Sequence, residues 1–303
     1  MTGIINVLKP PGMTSHDVVY YIRKRTGIKK VGHTGTLDPE AAGVLPVCIG
    51  KATKAVQYLT DKDKSYRANI KFGVVTETYD IYGEVVSENK ISKIDEAAVK
   101  EILKGFVGHI EQQPPIYSAI KKNGKKLYEY ALSGEEVKIE KRSVTINSMD
   151  FLGFIADDEI MIDVGCSKGT YIRSLCHDIG QELGPGACMS QLIRTASGDF
   201  SIDSAYTLEE IDAASAAGNL EQLITPVDAV FKRYKEINIK KSASNSALNG
   251  NPLYEKALIE AIDGIPEGEF VRLYLEDRFL ALGIVSYNRE EEKRYIKIDT
   301  LFV

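Results

Sequence analysis

The sequence contains no tryptophan, and it has only four cysteines and four histidines among 303 residues. The cysteines have neither the paired spacing of zinc ligands nor the density of a disulfide framework, so reduced thiols in a cytoplasmic protein are the simplest explanation. No apolar run is long enough to cross a bilayer, and no secretory signal sequence is recognisable. These absences argue against a disulfide-rich secreted domain and a helical membrane protein, and we expect a cytoplasmic protein without a membrane partner.

The chain also lacks an overall positive charge, since 38 basic and 43 acidic residues give a net charge of −5. The distribution is uneven. Residues 1–71 hold twelve lysines and arginines against five acidic residues, whereas the remainder holds 26 against 38. Phosphate binding depends on the local field and on counterion release, so the basic N-terminal region could bind a nucleic acid. The alternative is that these charges only solvate a helix face.

Length and composition indicate a globular protein of about two domains. Hydrophobic periodicity and turn residues predict a series of short elements. The predicted strands cover residues 4–8, 44–49, 61–73, 271–275 and 279–285. The predicted helices run from Thr14 or Ser15 to about residue 25, and over residues 51–59, 95–104 and 207–217.

One acidic residue, Asp38, stands in a glycine-bearing loop immediately before a proline. Pro39 has a fixed φ and no backbone donor, and it favours extended geometry at Asp38. A carboxylate on a rigid loop suits a reaction with a bulky planar substrate. An ordinary surface turn is the alternative, because Asp-Pro and glycine are common turn residues.

The residues around Asp38 favour the functional interpretation. Residues 32–54 read GHTGTLDPEAAGVLPVCIGKATK and resemble the catalytic motif of the TruB family of tRNA pseudouridine-55 synthases. Further stretches that are similar to the family are residues 9–12, 113–131, 164–175 and 189–200. The resemblance implies an α+β pseudouridine synthase fold, with a mixed, largely antiparallel central sheet flanked by helices. It also implies a catalytic domain over residues 1–230 and a small β-rich, PUA-like RNA-binding module over residues 231–303.

The resemblance further implies three catalytic residues. Asp38 would be the nucleophile, at C1′ of the ribose or at C6 of the uracil, or it would assist cleavage of the glycosidic bond by charge stabilisation. Tyr66 would stack on the uracil, although a tyrosine on the buried face of a strand is usually only a core residue. A helix is predicted to open near Thr170, with Arg173 in its first turn, where the dipole disfavours a cation, so a carboxylate partner is expected. The family pairs this arginine with the catalytic aspartate.

Five further residues are expected at the RNA. His33 would fill the space that a flipped base leaves, and Leu192 would pack beside that base. Lys54 is a candidate phosphate contact. Lys9 could contact RNA or the loop that bears Asp38, and Tyr171 is expected at the substrate by resemblance. Each also has an ordinary structural explanation, such as a solvated lysine or a core leucine.

Arg194 and Asp80 are two further candidates for contacts with the RNA. The basic and aromatic stretch 113–131 suits an RNA-binding loop, but Leu132 follows it where the family commonly has arginine.

The implied reaction converts the uridine of the tRNA T loop to pseudouridine. One carboxylate can run this isomerisation, so we expect no metal and no organic cofactor. The expected partner is the T arm of tRNA, recognised by its shape, and the expected protein is a monomer that needs no protein partner. The alternatives are a non-catalytic tRNA-folding protein, a guide-RNA-dependent relative and, more weakly, a carboxylate hydrolase that would release uracil.

Overall fold

The fold is described from a computed structural model, which covers residues 1–91 and 93–303. Its strands, in chain order, are β1 (Gly3–Lys9), β2 (Val31–His33), β3 (Ala42–Ile49), β4 (Lys64–Phe72), β5 (Val74–Thr76), β6 (Val85–Glu88), β7 (Gly108–Gln112), β8 (Lys121–Lys122), β9 (Lys125–Lys126), β10 (Arg142–Ala156), β11 (Glu159–Cys166), β12 (Ala187–Ser197), β13 (Phe200–Ser201), β14 (Lys235–Asn238), β15 (Leu253–Tyr254), β16 (Phe270–Leu275), β17 (Arg278–Asn288) and β18 (Lys293–Leu301).

The α-helices are α1 (Ser15–Thr26), α2 (Val56–Thr60), α3 (Glu96–Gly105), α4 (Leu127–Ser133), α5 (Ile172–Leu183), α6 (Leu208–Ala216) and α7 (Ser244–Leu248). Short 3₁₀ turns lie at Gly50–Ala55, Ile202–Ser204, Leu220–Leu223, Val227–Phe231, Lys241–Ala243 and Glu255–Ala257. In the part of the chain so described, no helix has the length and apolarity that crossing a membrane requires.

The large sheet has the order β1-β3-β12-β4-β11-β10-β7, with β2 paired to β3 and β13 paired to β12. Its pairs are antiparallel except for β12 and β3, which run parallel. The second sheet has the order β14-β16-β17-β18-β15. The mixed, largely antiparallel sheet and the β-rich C-terminal unit confirm the predicted fold class.

α1, the helix that precedes Asp38 in the chain, has capping residues at both of its ends. The hydroxyl of Thr14 accepts from the amide of Asp17, whose carboxylate accepts from the amide of Thr14. This reciprocal capping box satisfies two amides that have no partner within the helix. Gly27 ends α1 in the left-handed conformation. The apolar face of α1 is buried on β1 and β3, so the helix that precedes β2 and Asp38 is fixed to the sheet.

The alternation predicted for residues 61–73 is confirmed. On β4, Ala68, Ile70 and Phe72 are buried in the main core, and Tyr66 packs against the same core. α5 packs on this face and buries its own side chains Leu175 and Ile179 there. The face of β4 that packs against α5 is therefore also the face nearest to Asp38 and Arg173.

Two predicted elements needed correction. Residues 51–59 were expected to form one helix, but the segment begins as the 3₁₀ turn Gly50–Ala55 and becomes helical only in α2. The Thr53 hydroxyl donates to the Gly50 carbonyl at 2.8 Å, which favours the tighter turn. The helix expected to open near Thr170 begins at Ile172, with Tyr171 as its N-cap.

An aromatic cluster joins the two sheets. Tyr58 of α2 packs edge-on against Phe231 and Phe270, and its hydroxyl is hydrogen-bonded to Asp299 and Thr300 of β18. Edge-to-face aromatic pairs add to the hydrophobic energy of burial. The C-terminal sheet is thus packed against the segment that follows β3.

Candidate active site

Asp38 lies in a loop between β2 and β3, which we call the Asp38 loop (residues 33–41). Neighbouring elements hold the backbone on both sides of the aspartate. The Ser15 hydroxyl of α1 accepts from the Leu37 amide at 2.9 Å, and the Gly12 amide donates to the Pro39 carbonyl at 3.0 Å. These bonds satisfy backbone groups that a free loop would leave to water. The rigidity predicted for this loop therefore comes from α1 and from the turn that precedes it, as well as from the proline.

Lys9 also anchors this loop, and its burial argues against the RNA contact that the sequence offered as one possibility. Its side chain is fully buried, and Nζ donates to the carbonyls of Pro10, Met13 and Pro39 at 2.6–2.8 Å. Three acceptors saturate the three donors of an ammonium group. Burial lowers the pKa of Lys9 to about 8, and the negative charges of Glu40 and Asp38 oppose that shift. The contact with the Asp38 loop, the other possibility raised by the sequence, is the one observed.

Arg194 of β12 holds the loop from the opposite side. Its Nε donates to the Val44 carbonyl at 2.7 Å, and Nη2 donates to the Gly35 carbonyl at 3.1 Å. The side chain is 1% exposed, which argues against the RNA contact considered from the sequence. Its own backbone touches Gly43, where an added Cβ would lie 2.2 Å from the Arg194 carbonyl oxygen. The glycine therefore permits the close approach of β3 and β12.

Arg173 forms the predicted pair with Asp38. Its Nε lies 2.9 Å from Oδ2, and Nη2 donates to Oδ1 at 3.2 Å. A two-point contact of this kind fixes the plane of a carboxylate as well as its position. The arginine side chain is 8% exposed and the aspartate side chain 40% exposed. One side of the carboxylate thus remains open to a substrate while the other is held.

The remaining donors of Arg173 are also engaged. Nη1 donates to the Thr78 carbonyl at 3.2 Å and lies 3.6 Å from the Asp80 carboxylate, and Nη2 donates to the Tyr117 carbonyl at 3.1 Å. Asp80 thus faces the arginine, whereas the sequence suggested it only as a candidate for contact with RNA. The roles of Thr78 and Tyr117 were missed because both use backbone carbonyls, which a sequence pattern does not reveal.

Tyr66 and Leu192 lie on neighbouring strands beside this pair. Tyr66 is half-buried on β4, opposite Val164 of β11 and Arg194 of β12, and Leu192 is buried on β12. Both pack against the core cluster that includes Leu37 of the Asp38 loop. Burial raises the pKa of the Tyr66 hydroxyl, although the nearby Arg194 charge opposes the shift, so the group is protonated at neutral pH.

His33 occupies the start of the Asp38 loop. Its Nδ1 accepts from the Gly35 amide at 3.3 Å, which assigns the proton of the neutral ring to Nε2. The ring packs edge-on against His16, with centroids 5.7 Å apart. Burial lowers the pKa of His33, with further lowering from His16 and Arg194. A neutral, half-buried ring is therefore presented one loop segment before Asp38.

The structure places Tyr171 and Lys54 at two different locations. Gln112 grips the backbone of Tyr171, accepting from its amide at 2.8 Å and donating to its carbonyl at 3.0 Å. This fixes the N-cap of α5, two residues before Arg173. The Nζ of Lys54 donates to the Leu301 carbonyl of β18 at 2.6 Å, so this lysine links the 3₁₀ turn to the C-terminal sheet. Its phosphate contact stays a prediction.

The chemical resources of the site are a held carboxylate, a guanidinium, a tyrosine hydroxyl and a neutral imidazole. Within residues 1–91 and 93–303, no group of three or more His, Cys, Asp or Glu side chains is placed to hold a metal ion. The arrangement suits nucleophilic or electrostatic catalysis by one carboxylate beside a planar ligand.

Comparisons with known proteins agree with this geometry. The model for the N-terminal domain of TruB family pseudouridylate synthases matches residues 23–172. Models for the tRNA pseudouridylate synthase B C-terminal domain and for the PUA domain match residues 173–232 and 235–298. The tRNA pseudouridine synthase B of Alkaliphilus oremlandii is 48% identical, over 98% of this chain and 97% of the relative. That of Clostridioides difficile is 42% identical over the full length of both chains.

Solved structures give the same result. A chain in the structure of an H/ACA RNP bound to a substrate RNA containing 2′-deoxyuridine is 29% identical with a TM-score of 0.74, covering 99% of this chain and 85% of that chain. A chain in the crystal structure of a Cbf5-Nop10-Gar1 complex is 30% identical with a TM-score of 0.73 and the same coverage. The match thus extends over the whole chain in sequence and in fold, and this protein belongs to the TruB family of pseudouridylate synthases.

Proposed function

We propose that the protein isomerises uridine 55 in the T loop of tRNA to pseudouridine, with Asp38 as the nucleophile. The observation that carries this proposal is the two-point contact between Arg173 and Asp38 on a loop held by buried side chains. Relatives that are more than 40% identical over nearly the whole chain carry the name tRNA pseudouridine synthase B, which supports tRNA as the substrate.

The reaction exchanges one bond of C1′ for another. The C1′–N1 bond breaks, the uracil turns and a C1′–C5 bond forms. C5 loses a proton and N1 gains one, so no atom is added or removed. Asp38 can attack C1′ or C6, and in either case its carboxylate must leave again before the product is released. Arg173 holds the carboxylate in one plane during both steps.

The target base must leave its stack to reach Asp38, which costs a few kcal/mol. We assign the filling of the vacated space to His33, because a neutral ring at the loop entrance can stack in place of a base. Tyr66 would pack on the face of the flipped uracil and keep its hydroxyl proton available for a hydrogen bond. Leu192, on the same face of the sheet as Tyr66, would pack beside the flipped base.

We further propose which parts of the chain contact the RNA. Residues 1–230 would form the catalytic domain, and residues 231–303 a PUA-like module that contacts the RNA outside the T loop. Lys54, at the joint between them, and Tyr171, at the start of α5, are the proposed contacts from the catalytic side. A monomer without a protein partner would suffice, since all groups assigned to the reaction come from one chain.

The test is to incubate the purified protein with a tRNA transcript and to map the modified uridines, beside an Asp38→Asn variant. The amide keeps the shape of the side chain but removes its charge. Pseudouridine at the T-loop position with the wild type, and none with a variant that still binds the transcript, is the expected result. Binding without pseudouridine from either protein would instead indicate a tRNA-folding protein.

A further inference from the structure

Tyr79 has an unusual backbone conformation, with φ of +62°. Positive φ is uncommon for residues other than glycine, and it is a genuine outlier for a bulky side chain. The residue lies between Thr78 and Asp80, and both of these present an oxygen to Arg173. A strained backbone therefore lies within the segment that orients the arginine of the site.

Hydrogen bonds hold this turn closed. The Tyr79 amide donates to the Thr76 carbonyl at 3.3 Å, and the Thr76 hydroxyl donates to the Asp80 carbonyl at 2.6 Å. The Met189 amide of β12 donates to the Tyr79 carbonyl at 2.9 Å, and the Ile81 amide donates to the Met189 carbonyl at 2.8 Å. The turn is thus tied to the sheet, but these bonds do not tie it to α5.

A ring stack links the turn to α5, in addition to the contacts that Arg173 makes with Thr78 and Asp80. The rings of Tyr79 and His177 are 4.0 Å apart between centroids and 18° from parallel, and both residues are half-buried. His177 follows Arg173 by four residues on α5, so the two side chains lie on the same face of the helix. Among the described residues, the buried Nδ1 of His177 has no hydrogen-bond partner. Its ring position is therefore determined by the stack and not by a polar contact of that nitrogen.

We propose that the stack between Tyr79 and His177 is a positioning device for Arg173, and through it for Asp38. It fastens the 76–80 turn, which supplies a carbonyl acceptor and an ion-pair partner to Arg173, to the helix face that carries the guanidinium. Neither residue touches the reacting atoms. Without the stack, the turn can relax towards negative φ at residue 79 and withdraw those two groups. The inference rests on the function proposed above.

The test uses two variants that remove the stack in different ways. Tyr79→Asn removes the ring but tolerates positive φ, because asparagine adopts this conformation readily. His177→Leu keeps apolar bulk on α5 but provides no ring. We expect each to lower the single-turnover rate of pseudouridine formation by about tenfold, as a small misplacement of a catalytic group does. We expect the Kd for tRNA and the melting temperature to stay close to the wild-type values.

Two conservative variants and one matched control separate positioning from general damage. Tyr79→Phe and His177→Phe keep both rings, and we expect them to retain the wild-type rate. Phe154→Leu disrupts another aromatic pair, between Phe151 and Phe154 of β10, and we expect it to leave the rate unchanged.

The outcomes distinguish the two proposals. Wild-type rates in both Tyr79→Asn and His177→Leu would overturn the positioning role while leaving the proposed function intact. A rate loss that the phenylalanine variants share would overturn it too, because the polar groups rather than the stack would then matter. An inactive wild type would overturn the proposed function, and the positioning role with it.

Discussion

The Asp38 loop is supported by side chains from other elements, whereas the arm formed by residues 121–133 is supported by bonds to residues close to it in sequence. Side chains from α1, β1 and β12 enter the Asp38 loop, and two of these side chains are charged and fully buried. The arm comprises β8, β9 and α4, and it carries four lysines. Its hydrogen bonds and ion pairs within the described residues stay within residues 118–140.

The difference matches the roles that we propose for the two segments, catalysis for the Asp38 loop and RNA binding for the arm. A catalytic carboxylate needs a position fixed to a fraction of an ångström, which requires support from several elements. A basic arm that grips a phosphate backbone gains from local adjustment, because its interaction is electrostatic and tolerant of geometry. The Tyr117 carbonyl, four residues before the arm, accepts from Arg173, which pairs with Asp38, and this contact connects the two segments indirectly. Substitutions in the two segments should therefore change different measurable quantities.

The largest expected effect is that of Gly43→Ala, beside the Asp38 loop. The new methyl group would lie 2.2–2.9 Å from backbone atoms of Arg194, and φ at this position is +114°. We expect the free energy of unfolding to fall by about 3 kcal/mol or more, from overpacking and strain together, with loss of activity. Urea unfolding measures the change.

Gly27→Ala is the matched control for this variant. Gly27 has φ of +67° with no atom within 4 Å of the added Cβ, so it tests the strain without the clash. A loss of about 1 kcal/mol is expected there. Equal losses in the two variants would show that β3 and β12 can separate at no cost, contrary to the rigid support inferred for the loop.

The next effect is a pH dependence that comes from Lys9. Its folded pKa of about 8 lies below the unfolded value near 10.5, so between these values the unfolded state binds more protons. Stability from this group therefore rises with pH across that window, by at most about 1.4 kcal/mol per pH unit. Relative to Lys9→Met, which lacks the titration, the wild type should gain stability from pH 8 to pH 10. A difference that is constant with pH would contradict the burial of this ammonium group.

A smaller effect, on binding alone, is expected in the arm. Lys121→Ala combined with Lys126→Ala removes two charges from β8 and β9. We expect tRNA binding to weaken by about tenfold, the salt dependence of log Kd to lose a slope of about 2, and stability to stay within about 0.5 kcal/mol. Lys104→Ala, an exposed lysine at the end of α3, is the control. If the paired variant lost stability as the Gly43 variant does, the contrast between the two segments would fail.

The smallest effect concerns Leu132, which is 76% exposed on α4. The family commonly has arginine here, and Leu132→Arg would add a charge in the last turn of α4. We expect a two- to threefold gain in tRNA affinity at low salt that vanishes at high salt, and no change in the single-turnover rate. Filter binding at several salt concentrations measures it, with Leu132→Gln as the uncharged control. An equal gain from both variants would assign the effect to lost hydrophobic exposure.

Much of the fold could be predicted from the sequence, because local signals and long motifs decide it. The capping residues of α1, the alternation along β4 and the strand pattern after residue 270 each act over a few residues. The pair between Arg173 and Asp38 was also predictable, since a cation at a helix start needs a carboxylate and the resemblance supplies which one. The predicted roles of Tyr66, Leu192 and His33 at the substrate remain predictions.

The destinations of Lys9 and Arg194 were decided by tertiary structure. In sequence, Lys9 was a candidate for contact with RNA or with the Asp38 loop, and Arg194 a candidate RNA contact, because a charge pattern does not say which side chains the packed chain encloses. Burial required that each be satisfied by backbone carbonyls, and those carbonyls belong to the Asp38 loop and its flanking strand. The same holds for the contacts that Thr78 and Tyr117 make with Arg173, which use main-chain oxygens common to every residue type. The sequence by itself thus determined which chemistry this protein carries and which strands and helices bear it. Only the folded chain decided which charges hold the aspartate in place, because that depends on the desolvation of groups far apart in sequence.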